Sequence, residues 1–197
     1  MGWMARLKRA FDLVGAALCL LIAWPAILVL AFAIRRGSEG SGIFSQNRIG
    51  RDGKLFRCHK LRTMRNDTPN VPTHHAAAAQ ITPIGHFLRR TKLDELPQLW
   101  NVLKGEMSFV GPRPCLPTQT VLIEERSQQG VLRLRPGITG LAQINDIDMS
   151  DPVRLAEKDA EYRKSQSLGL DLAILYRTVF GGAGRGDRVH SLPWAAW

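Results

Sequence analysis

The longest unbroken apolar run lies close to the N-terminus. From Leu13 to Ile34 no side chain is charged, and as a helix this stretch is about 33 Å long, roughly one hydrocarbon core. Hydropathy alone favours an ordinary transmembrane helix. Ala31-Phe32-Ala33 has the small-x-small form of a signal-peptide cleavage site, but the run exceeds the usual apolar core of ~7–15 residues. Pro25 lies near its middle, where it removes one backbone hydrogen bond and clashes with the preceding turn, so a kink is expected. Arg6, Lys8 and Arg9 precede the run and Arg35 and Arg36 follow it. Positive charge at both ends gives no orientation, and is satisfied at both if the helix bends back to its own face. Asp12 is expected to pair with Arg6, Lys8 or Arg9, because an unpaired carboxylate is costly there.

Beyond this run the pattern shortens. Gly37-Ser38-Glu39-Gly40-Ser41-Gly42 reads as a polar hinge. Apolar and basic positions alternate through residues 43–62, and the Asp52-Gly53 step reads as a hairpin turn, which predicts a short sheet. Residues 66–80 are rich in Asn, Pro, Thr, His and Ala and read as a mobile loop. Thr82-Pro83 opens a helix with Thr as N-cap and Pro in its first position, carrying Ile84, Phe87 and Leu88 on one face. A second helix is expected from about Pro97 to Gly105, and further helices over residues 116–125, 152–165 and 170–180. Arg135-Pro136-Gly137-Ile138-Thr139-Gly140 reads as a turn-rich loop. The tail after residue 180 is glycine-rich and ends with Trp194 and Trp197, candidate interface contacts. There is no internal repeat.

Composition narrows the partners. The chain has 197 residues and a formal net charge of +10, which points to anionic partners: nucleic acid, acidic lipid or phosphorylated small molecules. Cys19, Cys58 and Cys115 form no zinc or disulfide spacing and fit a reducing compartment.

Candidate chemistry centres on Asp94-Glu95. Alone, an acidic pair before a helix is a cap, favoured by the helix dipole and free N–H groups. Its surroundings change that reading. Arg89, Arg90 and Lys92 precede it closely, Lys60, Arg62 and Arg65 come from the segment upstream, and Arg113 is framed by Pro112 and Pro114. Arginine forks match phosphate oxygens, and a proline-framed arginine has little backbone freedom to lose. Contact with lipid head groups accounts well for Arg35, Arg36, Arg48 and Arg51, and less well for Arg113. The histidines have no ligand-like spacing. A hard divalent cation held by Asp94 and phosphate oxygens fits better, since magnesium uses one or two carboxylates plus substrate phosphates. No Walker loop, dinucleotide fingerprint, HExxH or nucleophile elbow is present.

These residues together resemble the small monotopic phosphoglycosyl transferases, the bacterial sugar transferase family. The likeness covers roughly residues 7–180. It rests on Lys8-Arg9-Ala10-Phe11-Asp12-Leu13, Gln46-Asn47-Arg48-Ile49-Gly50, Lys60-Leu61-Arg62-Thr63-Met64, the block from Leu88 to Pro114, Arg135 to Leu141, and Leu170-Asp171-Leu172. The run from Leu93 to Gly105 is the most specific. The resemblance implies transfer of a phosphosugar from a UDP-sugar to polyprenyl (undecaprenyl) phosphate with release of UMP. It implies Asp94 as nucleophile and magnesium ligand, Glu95 as its catalytic partner, and Lys60, Arg62, Arg89, Arg113, Pro114 and Gln143 as substrate-binding residues. It also implies a mixed α/β, helix-dominated fold. Residues 1–36 would be a re-entrant membrane helix broken at Trp24-Pro25. Residues 37–180 would be a cytosolic catalytic domain with a short sheet and surface amphipathic helices, and 181–197 a flexible tail. The expected place is the bacterial inner membrane, monotopic, in contact with lipid and without nucleic acid; a homodimer is one option for its oligomeric state. Larger relatives carry further membrane helices upstream, so this chain is expected to be a minimal form.

Two positions depart from the family's pattern. Trp24 stands before the break proline where relatives often carry Ser, which can re-bond freed backbone in lipid. Asn145-Asp146-Ile147 stands where many relatives carry Asn-Gly-Arg, which bears on donor preference if that loop borders the sugar. Two other readings compete: a glycosyltransferase that moves the sugar alone and releases UDP, and a membrane-tethered basic binding module. The second predicts steep salt dependence and indifference to Asp94, and no aromatic stacking platform supports it.

Overall fold

A computed structural model describes residues 2–65 and 81–181. The loop expected over 66–80 and the tail with Trp194 and Trp197 lie outside the described residues.

The apolar run forms part of one long helix, α1 (Trp3–Gly37), with Pro25 inside it. The expected interruption at Trp24-Pro25 does not divide the element: Ala23 and Ile27, on either side, both pack on the folded body. α1 contributes a stripe at helical spacing: Asp12, Ala16, Leu20, Ala23, Ile27, Leu30 and Ile34. Ala16, Leu20 and Ala23 meet Phe56, Cys58, Leu99, Val102 and Met107. Ile27, Leu30, Ala31 and Ile34 meet Leu61, Leu88 and Leu93. Burying each large aliphatic contributes about 1.5–3 kcal/mol. The opposite face, with Val14, Leu18, Leu21, Ile22, Trp24, Leu28, Val29 and Phe32, is exposed.

β1 (Ile43–Ile49) and β2 (Leu55–Leu61) pair antiparallel, Ile43 opposite Leu61 and Ile49 opposite Leu55. The Asp-Gly turn is where the sequence places it: Asp52 and Gly53 have φ of 56° and 73°, the left-handed region that such residues tolerate. Gly42, at the entry to β1, lies so close to α1 that a Cβ there would collide with the Ala31 backbone.

α2 (Pro83–Thr91) starts as expected, Thr82 Oγ1 accepting a bond from the Gly85 N–H at 3.1 Å. Leu88 is buried and Ile84 packs in its cluster, but Phe87 is 45% exposed, because it falls off the 84/88 stripe. α3 (Gln98–Lys104) closes on Gly105, with φ of 85°. The helix expected from residue 116 starts later, as α4 (Thr120–Gln128): the Leu116 N–H donates to Gln119 Oε1 at 2.8 Å, which makes a turn of 116–119. α5 (Pro152–Ser165) and α6 (Leu168–Phe180) follow the predicted ranges within two residues.

The segment read as a turn-rich loop contains a strand. β3 (Ser108–Val110) and β4 (Gly137–Thr139) pair parallel, Ser108 opposite Gly137. A Cβ at Gly137 would collide with the Gly111 backbone, so this pairing requires glycine.

Buried polar bonds fasten α1 to these elements. Asp12 does not pair with the neighbouring cations; its Oδ1 accepts from Ser108 Oγ (3.0 Å) and the Phe109 N–H (3.1 Å). Lys8 instead reaches Asp171 at 2.6 Å, and Asp171 also accepts from the Tyr162 hydroxyl at 2.6 Å. Two motifs 163 residues apart in sequence are thereby joined.

Candidate active site

Asp94 and Glu95 sit in a single 3-10 turn, Leu93–Glu95, between α2 and α3. Lys92, in left-handed conformation (φ 58°), ends α2 and turns the chain into it. Neither carboxylate caps α3, whose N-cap, Pro97, has no side-chain cap bond. The capping explanation for the acidic pair is therefore not what the fold uses.

The two carboxylates differ in what surrounds them. Glu95 Oε1 accepts from Lys60 Nζ at 2.8 Å and from Arg113 at 3.4 Å. Lys60 reaches it from β2, and Arg113 from the Gly111-Pro112-Arg113-Pro114 loop after β3. Asp94 is 8% exposed, and among the described residues no group donates a hydrogen bond to its carboxylate. Burial pushes its pKa up to about 6; Lys60, Arg89 and Arg113 pull it down and Glu95 pushes it up. A buried carboxylate without a hydrogen bond, in a cationic field, is costly to maintain. That combination is characteristic of a group kept for reaction.

The remaining predicted residues take different positions. Arg89 lies in this field and donates to Thr63 Oγ1 at 2.9 Å. Arg62 is buried against the end of α1, donating to the Ser38 carbonyl and hydroxyl at 2.9 Å and to the Glu39 carbonyl. The Pro114 carbonyl accepts from Arg48 at 3.3 Å. Gln143 donates to the Ile138 carbonyl at 3.3 Å, while its buried Oε1 has no hydrogen-bond partner among the described residues. Asp146, in the departing loop, has φ of 54°, a conformation glycine adopts without cost.

Sequence reasoning missed Arg126 and Asp159. They form a buried pair at 2.6 Å, and Arg126 also donates to the Arg113 carbonyl at 2.9 Å. The one available signal is weak: each is a charged residue within an otherwise regular helical pattern. Among the described residues no three His, Cys, Asp or Glu side chains form a metal-binding cluster. Magnesium bound through one carboxylate and diphosphate oxygens needs none, and the unbonded carboxylate of Asp94 suits that donor set.

Comparison with known proteins gives the family. Residues 3–184 match the family described as bacterial sugar transferase. The chain is 40% identical over 196 residues to the UDP-galactose-lipid carrier transferase of Erwinia amylovora, covering 88% of this chain and 39% of that protein. It is 41% identical over 192 residues to the UDP-glucose:undecaprenyl-phosphate glucose-1-phosphate transferase of Escherichia coli (strain K12), covering 89% and 40%. A protein of the same name from Caulobacter vibrioides is 40% identical over 181 residues, covering 87% and 68%. The chain spans about two fifths of the length of the Erwinia and Escherichia relatives. With the match running from the start of α1 past the end of α6 and enclosing the whole carboxylate site, the chain belongs to the bacterial sugar transferase family.

Proposed function

We propose that this chain transfers a sugar 1-phosphate from a UDP-hexose to polyprenyl phosphate, undecaprenyl phosphate in bacteria, and releases UMP. This is the first membrane step of glycoconjugate assembly. The observation that carries the reading is the asymmetry of the pair: Glu95 is engaged by Lys60 and Arg113, while Asp94 is buried in the same cationic field with no hydrogen bond to its carboxylate among the described residues. The names of the relatives, which specify glucose or galactose donors and undecaprenyl phosphate, support it.

In this reading an Asp94 oxygen attacks the sugar-linked phosphorus. The bond from that phosphorus to the bridging oxygen breaks, and UMP leaves with the electron pair. Asp94 then carries the phosphosugar as an acyl phosphate. An oxygen of polyprenyl phosphate attacks the same phosphorus, the bond to Asp94 breaks, and the carboxylate is restored. Lys60, Arg89 and Arg113 stabilise the charge that develops on the phosphoryl oxygens. Glu95, beside them, positions the incoming polyprenyl phosphate and accepts its proton. Bound magnesium supplies neutralisation of the diphosphate, with Asp94 as its protein ligand.

The membrane reading follows from α1. Its packed stripe runs from Asp12 to Ile34 along the folded body, so it cannot cross a bilayer upright without drawing β2, α2 and α3 into hydrocarbon. In the proposed arrangement the chain lies on one face of the inner membrane, with both ends of α1 cytosolic and its outer face in lipid; the one-sided packing of α1 supports it. A bend of α1 in lipid would fall at Trp24-Pro25, where proline removes one backbone bond.

The test is nucleotide release from a panel of UDP-sugars with magnesium and undecaprenyl phosphate, for wild type and Asp94→Asn. UMP from one donor, absent in the variant, is the expected result. Release of UDP would sink the proposal, because it means transfer of the sugar without its phosphate.

A further inference from the structure

We infer that the buried Asp159–Arg126 pair is a positioning device for Arg113, and through it for the phosphate-binding side of the site. This rests on the phosphosugar-transfer reading above.

The Gly111–Cys115 loop is fixed at each residue. The Gly111 N–H donates to the Thr139 carbonyl and the Gly137 N–H to the Pro112 carbonyl, both at 2.9 Å. The Ile49 N–H bonds the Cys115 carbonyl at 2.9 Å, and Arg48 bonds that of Pro114. The carbonyl of Arg113 itself is held by Arg126, at 2.9 Å. Arg126 is 2% exposed, and its Nε and a terminal nitrogen both reach Asp159 Oδ2, at 2.9 and 2.6 Å. It comes from α4 and Asp159 from α5, so the pair ties two helices to one carbonyl of the site loop.

Such a pair is weak evidence for stability. Taking two charges out of water costs several kcal/mol per ion, and apolar residues of like volume often replace a buried pair without loss. What apolar residues do not supply is a donor for the Arg113 carbonyl. Pro114 restricts the Arg113 backbone to extended conformations, and the bonded carbonyl holds the peptide that follows it. This sets where the Arg113 side chain leaves the loop, with its guanidinium 3.4 Å from Glu95 and in the field around Asp94. A fixed donor stabilises developing charge more than a mobile one does, because it needs no reorganisation during reaction.

The deciding variant is Arg126→Met with Asp159→Leu, which leaves no unpaired buried charge. UMP release and the donor KM are measured per folded protein, alongside the wild type. The expected result is a kcat lowered about 10- to 100-fold with little change in KM. Arg126→Lys, which keeps the ion pair but loses the fork reaching both partners, should fall between, and carries the test if the double variant does not fold. An unchanged kcat in whichever variant folds, or a loss confined to KM, would overturn the positioning role while leaving the transfer reading intact. Absence of UMP release by the wild type would overturn both.

Discussion

Asp94 is pulled in two directions: burial favours its neutral acid, while Lys60, Arg89 and Arg113 favour its anion, and burial wins. A carboxyl that titrates at about 6 in the folded chain and at 3.8 when exposed disfavours the fold by roughly 3 kcal/mol once pH is above 6. The folded state holds the extra proton, so the contribution of Asp94 is unpenalised below 3.8 and becomes unfavourable as pH rises through 6. Asp94→Asn should therefore melt at higher temperature than wild type at pH 8, with the gain vanishing near pH 3.8, while UMP release falls by on the order of 10³-fold or more. Under the proposed mechanism wild-type kcat should rise with pH through about 6, as Asp94 ionises. Lys60→Met removes the largest of the effects that lower this pKa, so its acid limb should lie at higher pH; a limb that stays in place would mean another group titrates there. Asp94, Glu95, Lys60 and Arg113 were legible in the sequence because each lies in a compact motif with charge or proline beside it. Arg62 shares Lys60's side of an extended chain, but β2 ends at Leu61 and the arginine caps α1 instead. Arg126 and Asp159 were not legible, since nothing in the spacing of two helices shows which residues face the same loop carbonyl.

α3 carries the acidic turn at its start and is clamped at its end by two arginines from distant elements. Arg9 donates to the carbonyls of Val102 (2.8 Å) and Leu103 (3.1 Å), and Arg135 to that of Gly105 (2.9 Å). These satisfy carbonyls that a helix end otherwise leaves open, and cations there oppose the negative end of the dipole. Arg9→Met should cost about 2–3 kcal/mol and speed hydrogen exchange across residues 102–106, where unchanged exchange would show the clamp to be idle. The helices α2, α5 and α6 were readable from apolar spacing and Thr, Asp or Ser at their starts. β3 and β4 were not, because three residues with a glycine carry no period, and their pairing is fixed by close backbone approach. The clamp was equally hidden: Arg9 reads as part of a basic flank to an apolar run, and only the fold shows its carbonyl partners.

At the scale of the whole molecule, α1 is the joint between lipid and chemistry. One face is closed against Phe56, Leu61, Leu88 and Leu99, and the other shows Leu21 at 69% and Ile22 at 80% exposure. A helix crossing a bilayer alone needs lipid all round, whereas this one keeps a stripe from Ala16 to Ile34 for protein. The two faces should therefore respond differently to charge. Leu21→Asp with Ile22→Asp should leave the melting temperature in detergent unchanged and weaken liposome binding, each carboxylate costing about 3 kcal/mol in hydrocarbon. Ile34→Asp, on the packed face and 1% exposed, should prevent folding, since it buries a charge beside Leu61 and Leu88 without a partner. Single cysteines placed at Trp3 and Gly37, in a chain freed of Cys19, should both react with a membrane-impermeant reagent from the same side of sealed vesicles. Labelling of one end only would mean that α1 crosses, and that the packing along its stripe opens when the chain enters a membrane. Labelling of both ends from one side would place Asp94 where the proposed soluble nucleotide sugar and lipid phosphate can meet.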